Sequence, residues 1–181
     1  IKILSAEKIQ IYLHAFMDGR DTPPKSGDLY IERINKTPNF HFASMQGRSL
    51  GMDRDRRWER IEKGYNAIIG KGNITKLKPL EYIFEEYEKG ITDEFITPVL
   101  FDENFAIKKE DCVFFFNFRP DRAVQITLAL TLPSFNYFKR EIIPSYFLCM
   151  TPYVVDEITL PILFDKEKVD GGLSQFLSKN G

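Results

Sequence analysis

Five arginines stand just past apolar, strand-like runs: Arg20 in DGRDTPPKSG, Arg48 and Arg54 in GRSLGMDRD, and Arg119 and Arg122 in FRPDR. A guanidinium is a flat fork of donors that keeps its charge at any working pH, so it suits phosphate and carboxylate. A small ligand carrying one of each needs several such forks on converging loops. The glycines and prolines of these loops permit tight turns and close approach of a ligand. Asp21, directly after Arg20, adds a carboxylate to the set. The competing reading is a collection of surface ion pairs, since Asp18, Asp21, Asp53, Asp55 and Asp121 are close in sequence. For any one arginine the ion-pair reading is the stronger; for the five together, anion binding is. Arg56, Arg57 and Arg60 open a helix and read as structural, with Asp53 and Asp55 capping that helix or holding neighbouring arginines.

Other chemistries find little support. His14 lies between Leu13 and Ala15, and His41 between Phe40 and Phe42; both read as satisfied core histidines. There is no HExxH, CxxC, aspartate-rich calcium loop, GxSxG elbow or GxxxxGK[ST] loop, and no credible transition-metal site. Cys112 and Cys149 sit in apolar runs and read as buried strand residues in a reducing cytosol.

The elements that must position the arginines follow from periodicity. Ile9 to Phe16 and Phe40 to Gln46 read as strands, each running into an arginine-bearing loop. Helices are expected from about Gly27 to Asn35, from Arg56 to Ile69 with Trp58, Ile61, Tyr65 and Ile68 on one face, and from Leu80 to Glu88 behind Pro79. A short strand is expected at Thr97 to Phe101. Cys112 to Phe118 is the clearest strand, read as buried on both faces because its apolar run is nearly continuous. Pro120 then falls in the first turn of a helix carrying Ala123, Ile126, Thr127 and Leu130. A strand at Tyr146 to Met150 follows, and Gly171-Gly172 opens a last helix at Leu173 to Leu177. Alternating strands and helices predict an α/β fold, a three-layer α/β/α domain around a mainly parallel sheet. In such sheets ligands sit beyond the carboxyl ends of the strands, where these arginines fall.

The 181 residues suit one domain. A net charge of -1 provides no global field for nucleic acid. No apolar run reaches the roughly 18 residues of a membrane span, and no signal peptide is visible. The first and last residues, Ile1 and Gly181, read as cuts in a longer protein.

Four blocks, HAFMDGRDTPPKSG, GRSLGMDRDRRWERIEKGYNA, ITDEFITPVL and FFFNFRPDRAVQIT, resemble in order the signature segments of the cofactor-independent phosphoglycerate mutases. GGLSQFLSKNG resembles the segment that returns to that family's other domain. The resemblance implies a cytoplasmic, monomeric two-domain α/β enzyme. One domain resembles alkaline phosphatase, holds two manganese ions and carries a serine nucleophile. The other, inserted into it, grips the substrate, and residues 1–181 correspond to it. The implied reaction interconverts 3-phosphoglycerate and 2-phosphoglycerate through a phosphoserine, without bisphosphoglycerate. By the same resemblance Arg20 and Asp21 contact the glycerate, Arg48 and Arg54 bind substrate, and Arg119 and Arg122 hold the phosphate end. Asp21 is then the expected proton shuttle, while Asp18 serves the turn by bonding backbone N–H groups. No metal ligand is expected in this chain. Three departures stand out: a GGVHSH segment is expected upstream of Ile1, the nucleophile and metal ligands are absent, and Ser49 and Leu50 replace aromatic residues after the loop Gly-Arg. Two other readings compete: a stand-alone phospho-anion binding module, and single-stranded RNA binding through aromatic and arginine pairs. The near-neutral charge and the buried look of the Phe runs argue against RNA.

Overall fold

The computed structural model describes residues 7, 9–141, 143–153, 158–165 and 173–180. Strand β1 (Ile11–Met17) lies parallel to β2 (Phe40–Gly47). Leu13 pairs with Phe42 and His14 with Ser44, leaving Ala43 as an extra residue. Such a bulge swaps the faces that follow it. Phe42 and Met45, three apart, therefore join the same apolar cluster. Helix α1 (Gly27–Ile34) connects the two strands. The short helix α2 (Arg48–Gly51) and the longer α3 (Trp58–Ile68) follow β2. Next come β3 (Asn73–Ile74), α4 (Pro79–Glu88) and β4 (Val99–Leu100). Then follow β5 (Cys112–Phe115), α5 (Val124–Thr131), β6 (Tyr146–Cys149) and α6 (Leu173–Asn180). Gly171-Gly172, expected to open the last helix, lies outside the described residues.

The sheet order is β1-β2-β4-β3, with β5 and β6 as a separate parallel pair. Among the described residues only β2 and β4 run antiparallel, so the sheet is mostly parallel. Neighbouring residues of a strand point to opposite faces, and Phe16 and Met17 show where the layers lie. Met17, Phe42, Met45 and Val99 pack with Ile31 of α1 and Ile83 of α4. Phe16, Val113, Phe115 and Phe147 pack instead with Ile61 and Tyr65 of α3 and Ile126 of α5. Helices thus cover both faces, as the sequence leads one to expect. Helix α5 is mostly apolar and buried on all sides from Gln125 to Thr131, which pins the arginine loop before it.

Three sequence readings are corrected. β5 ends at Phe115 and is covered on one face only: Phe114, Phe116 and Phe118 are 36%, 69% and 75% exposed. An unbroken run of phenylalanines still alternates, and only its odd members here meet a helix layer. The same alternation leaves Cys112 exposed, while Cys149 is buried and its thiol is pushed up to about 11 by burial. His41 is not a core residue. It is half-buried, stacked on Tyr12 at 5.5 Å and tilted against Phe105 at 5.0 Å between ring centroids, because a 3-10 turn rather than a helix lies over it.

His14 is likewise only partly buried, but it is satisfied as expected. Its Nδ1 lies 2.8 Å from Ser44 Oγ, and burial lowers its pKa from 6.5 to about 4. The unfolded chain takes up this proton below its ordinary pKa, the folded chain only near the lowered one. Stability is therefore fully present above about pH 6.5 and is lost as pH falls towards about 4, by up to roughly 3 kcal/mol. Urea midpoints measured at neutral pH and at about pH 4.5 should show this fall, and His14→Gln should flatten it. An unchanged slope in His14→Gln would assign the acid sensitivity to other groups.

Candidate anion-binding site

β1 and β2 are parallel, so Asp18 and Arg48 leave the sheet at the same edge. Phe16 of β1 touches Phe115 of β5 at 5.7 Å between ring centroids, which sets the β5 loop beside the other two. The loop after β1 turns at Gly19, whose φ of +63° suits glycine. A Cβ there would also stand 2.7 Å from the backbone nitrogen of Glu94. The loop is thus pressed onto the 3-10 turn Asp93–Phe95.

Asp93 makes this contact rigid. It is 1% exposed, and its Oδ2 accepts from the backbone N–H groups of Ser26 and Gly27, each at 2.9 Å. The Tyr87 hydroxyl donates to Oδ1, and Asp93 N–H donates to Pro24 O at 2.8 Å. One carboxylate therefore serves the start of α1 and ties down the far arm of the DGRD loop. Removing it strands buried donors, at about 1–3 kcal/mol for each group left unsatisfied. Asp93→Ala should lower folding stability by roughly 3 kcal/mol in a denaturant titration. A loss below about 1 kcal/mol would show that water replaces the carboxylate.

The six residues expected at the site come together, by unequal means. Arg48 is 7% exposed, and its Nη1 donates to Asp18 Oδ1 and to Asp21 Oδ2, the latter at 2.8 Å. Its Nε is buried without a hydrogen-bond partner among the described residues. Arg20 is an exposed side chain 3.7 Å from Glu94. Arg54 donates to Asp121 at 3.0 Å, and Arg119 Nε approaches the other oxygen of Asp121 at 3.0 Å. Arg122 has no carboxylate hydrogen bond among the described residues; its Nη1 donates to Met52 O at 3.3 Å and its Nε is buried without a partner. Burial, and then the charges of Arg48, Arg54 and Arg20, lower the Arg122 pKa, with Asp121 opposing them.

That electrostatic pattern separates the two readings of the arginines. Arg20, Arg48, Arg54 and Arg119 have acidic neighbours, as the ion-pair reading expects. Arg57 belongs wholly to that reading: Asp53 accepts from its backbone N–H at 3.1 Å and pairs with its Nε at 2.8 Å, and Asp55 pairs with its Nη2. Arg122 does not fit it. A half-buried guanidinium pressed by three like charges, with a buried donor unused, is a place for an anion. Asp93 and Glu94 escaped sequence reasoning as individual residues. They lie inside ITDEFITPVL, a block whose pairing with the DGRD loop across 70-odd positions no local pattern announces.

Residues 1–155 match the family model described as the N-terminus of the BPG-independent phosphoglycerate mutases, and the chain belongs to that family. The protein of Clostridioides difficile (strain 630) named 2,3-bisphosphoglycerate-independent phosphoglycerate mutase is 39% identical over 191 residues, covering 100% of this chain. One of the same name from Helicobacter acinonychis (strain Sheeba) is 41% identical over 181 residues, covering 97% of this chain. The chain spans only 37% of the length of either relative. Among solved structures, a Leishmania mexicana phosphoglycerate mutase at low cobalt concentration superposes with a TM-score of 0.72 at 28% identity, over 83% of this chain and 31% of that one. No helix among the described residues is long and apolar enough to cross a membrane.

Proposed function

We propose that this chain is the substrate-holding domain of a 2,3-bisphosphoglycerate-independent phosphoglycerate mutase, which interconverts 3-phosphoglycerate and 2-phosphoglycerate. The observation that carries the reading is Arg122, which alone of the five arginines has no carboxylate ion pair among the described residues and is crowded by Arg20, Arg48 and Arg54. Arg119 and Arg122 hold the phosphate end, Arg20 and Asp21 the glycerate, and Arg48 and Arg54 complete the grip. The phosphoryl group moves between the 3- and 2-hydroxyls by way of a serine on the remainder of the full-length polypeptide. Glycerate must stay bound while it reorients, and closure of an arginine-lined domain holds it and excludes water. The exposed Phe116 and Phe118, next in sequence to Arg119, offer an apolar face for that closure.

Two manganese ions belong to the same reading, but this chain does not fit them: the described residues contain no group of three or more His, Cys, Asp or Glu placed to hold a metal. The metal is assigned to the remainder of the enzyme, and no step here runs through it. The alternative, a stand-alone phospho-anion module, is disfavoured by relatives nearly three times as long as this chain.

Calorimetric titration of the 181-residue chain tests the reading. 3-Phosphoglycerate should give saturable heat that weakens with salt, and glycerate without phosphate should give far less. Equal responses to the two ligands would remove the phosphate site.

A further inference from the structure

The Asp18 carboxylate does more than shape its turn. Its Oδ1 accepts from the backbone N–H groups of Arg20 at 3.3 Å and Asp21 at 3.2 Å, and also from Nη1 of Arg48. The same Arg48 nitrogen donates to Asp21 Oδ2 at 2.8 Å. One guanidinium nitrogen from the β2 loop is thus divided between two carboxylates of the β1 loop. The Arg48 side chain is 8% exposed, Asp18 35% and Asp21 62%, so the shared nitrogen lies beneath a largely open Asp21.

A guanidinium facing one carboxylate settles into a strong, often two-pronged pair. Nη1 carries two hydrogens and gives one to each carboxylate, so Asp18 fixes the guanidinium while Asp21 takes only one of its donors, a single bond it can release. We propose that Asp18 is a positioning residue for the mutase reaction: it anchors Arg48 and the Arg20–Asp21 backbone on one oxygen and thereby keeps Asp21 from being captured by Arg48. This inference rests on the mutase reading given above. Burial works to raise the Asp18 carboxyl, but the Arg48 hydrogen bond, the two backbone N–H groups and the Arg48 charge together hold it below its ordinary value. Asp18 therefore carries its charge throughout the neutral range.

Asparagine separates the two duties of the side chain. Its carbonyl oxygen still accepts from the two backbone N–H groups, but it brings no charge to Arg48. In the full-length enzyme, Asp18→Asn should melt close to wild type and bind 3-phosphoglycerate with a similar KM, while kcat falls about tenfold or more. Arg48→Lys should lower kcat on its own and lower it much less in the Asp18→Asn background, because the two changes break the same contact. Asp18→Ser serves the same comparison if Asp18→Asn melts early, since its hydroxyl also accepts from the turn. A turn-forming role alone would leave kcat and KM of Asp18→Asn at wild-type values, or make the double variant simply multiplicative; either result overturns the proposal. A wild-type full-length protein without mutase activity would overturn the mutase reading itself, and is seen before any variant is made.

Discussion

Asp21→Asn in the full-length enzyme is expected to lower kcat by about 10²–10⁴-fold, the usual worth of a positioned acid–base group, with KM for 3-phosphoglycerate largely kept. Moving a phosphoryl group off one hydroxyl of glycerate and onto another leaves the first oxygen needing a proton and requires the second to give one up. A carboxylate within reach of both can carry it. Asp21 is suited to this by exposure: it is 62% open, and its side-chain partner among the described residues is Arg48 at 2.8 Å. Asp18, the other acid of the loop, is committed to three donors. If Asp21 merely orients Arg48, the asparagine variant will lose affinity and keep its turnover. Steady-state kinetics separate the two outcomes.

Arg122→Ala is expected to weaken 3-phosphoglycerate binding by about 1.5–3 kcal/mol, or roughly 10–150-fold in affinity. The unliganded protein should not suffer. Arg122 gains one long bond to Met52 O and sits against three like charges, so its removal relieves repulsion. The melting temperature should stay level or rise, the mark of a residue kept for binding at the expense of stability. Arg119→Ala should have the smaller effect on binding, since Arg119 is 56% exposed and has Asp121 beside it. A variant at Arg122 that melts early and binds normally would make it a structural residue.

What was legible in the sequence was whatever depends on local period and punctuation. β1 and β2 are apolar runs that lead into glycine-bearing loops, α4 opens at Pro79, and α3 carries Ile61, Tyr65 and Ile68 on its buried face. The expected position of the site followed, because parallel strands deliver their carboxyl ends to one edge. What was not legible depends on partners far along the chain. The bulge at Ala43 exists because β1 and β2 must both turn the right residues inward, which neither strand shows alone. One-sided cover of β5 is a property of the layer above it, so FFFNF cannot say whether Phe116 is buried. Asp93 looks like any loop acid until Ser26, Gly27 and Tyr87 are brought to it. The six candidate residues stand out in the sequence because charge and loop position mark them; which arginine has no carboxylate ion pair among the described residues does not, because pairing is decided across loops.

The most direct measurement is conversion of 3-phosphoglycerate to 2-phosphoglycerate by the full-length protein, supplied with manganese and without 2,3-bisphosphoglycerate, for wild type and Arg122→Ala side by side. The expected result is wild-type turnover without bisphosphoglycerate and a kcat/KM at least about tenfold lower in the variant. Turnover that requires bisphosphoglycerate, or equal kcat/KM in the two proteins, would contradict the arginine cluster as the phosphoglycerate-holding site of a bisphosphoglycerate-independent mutase.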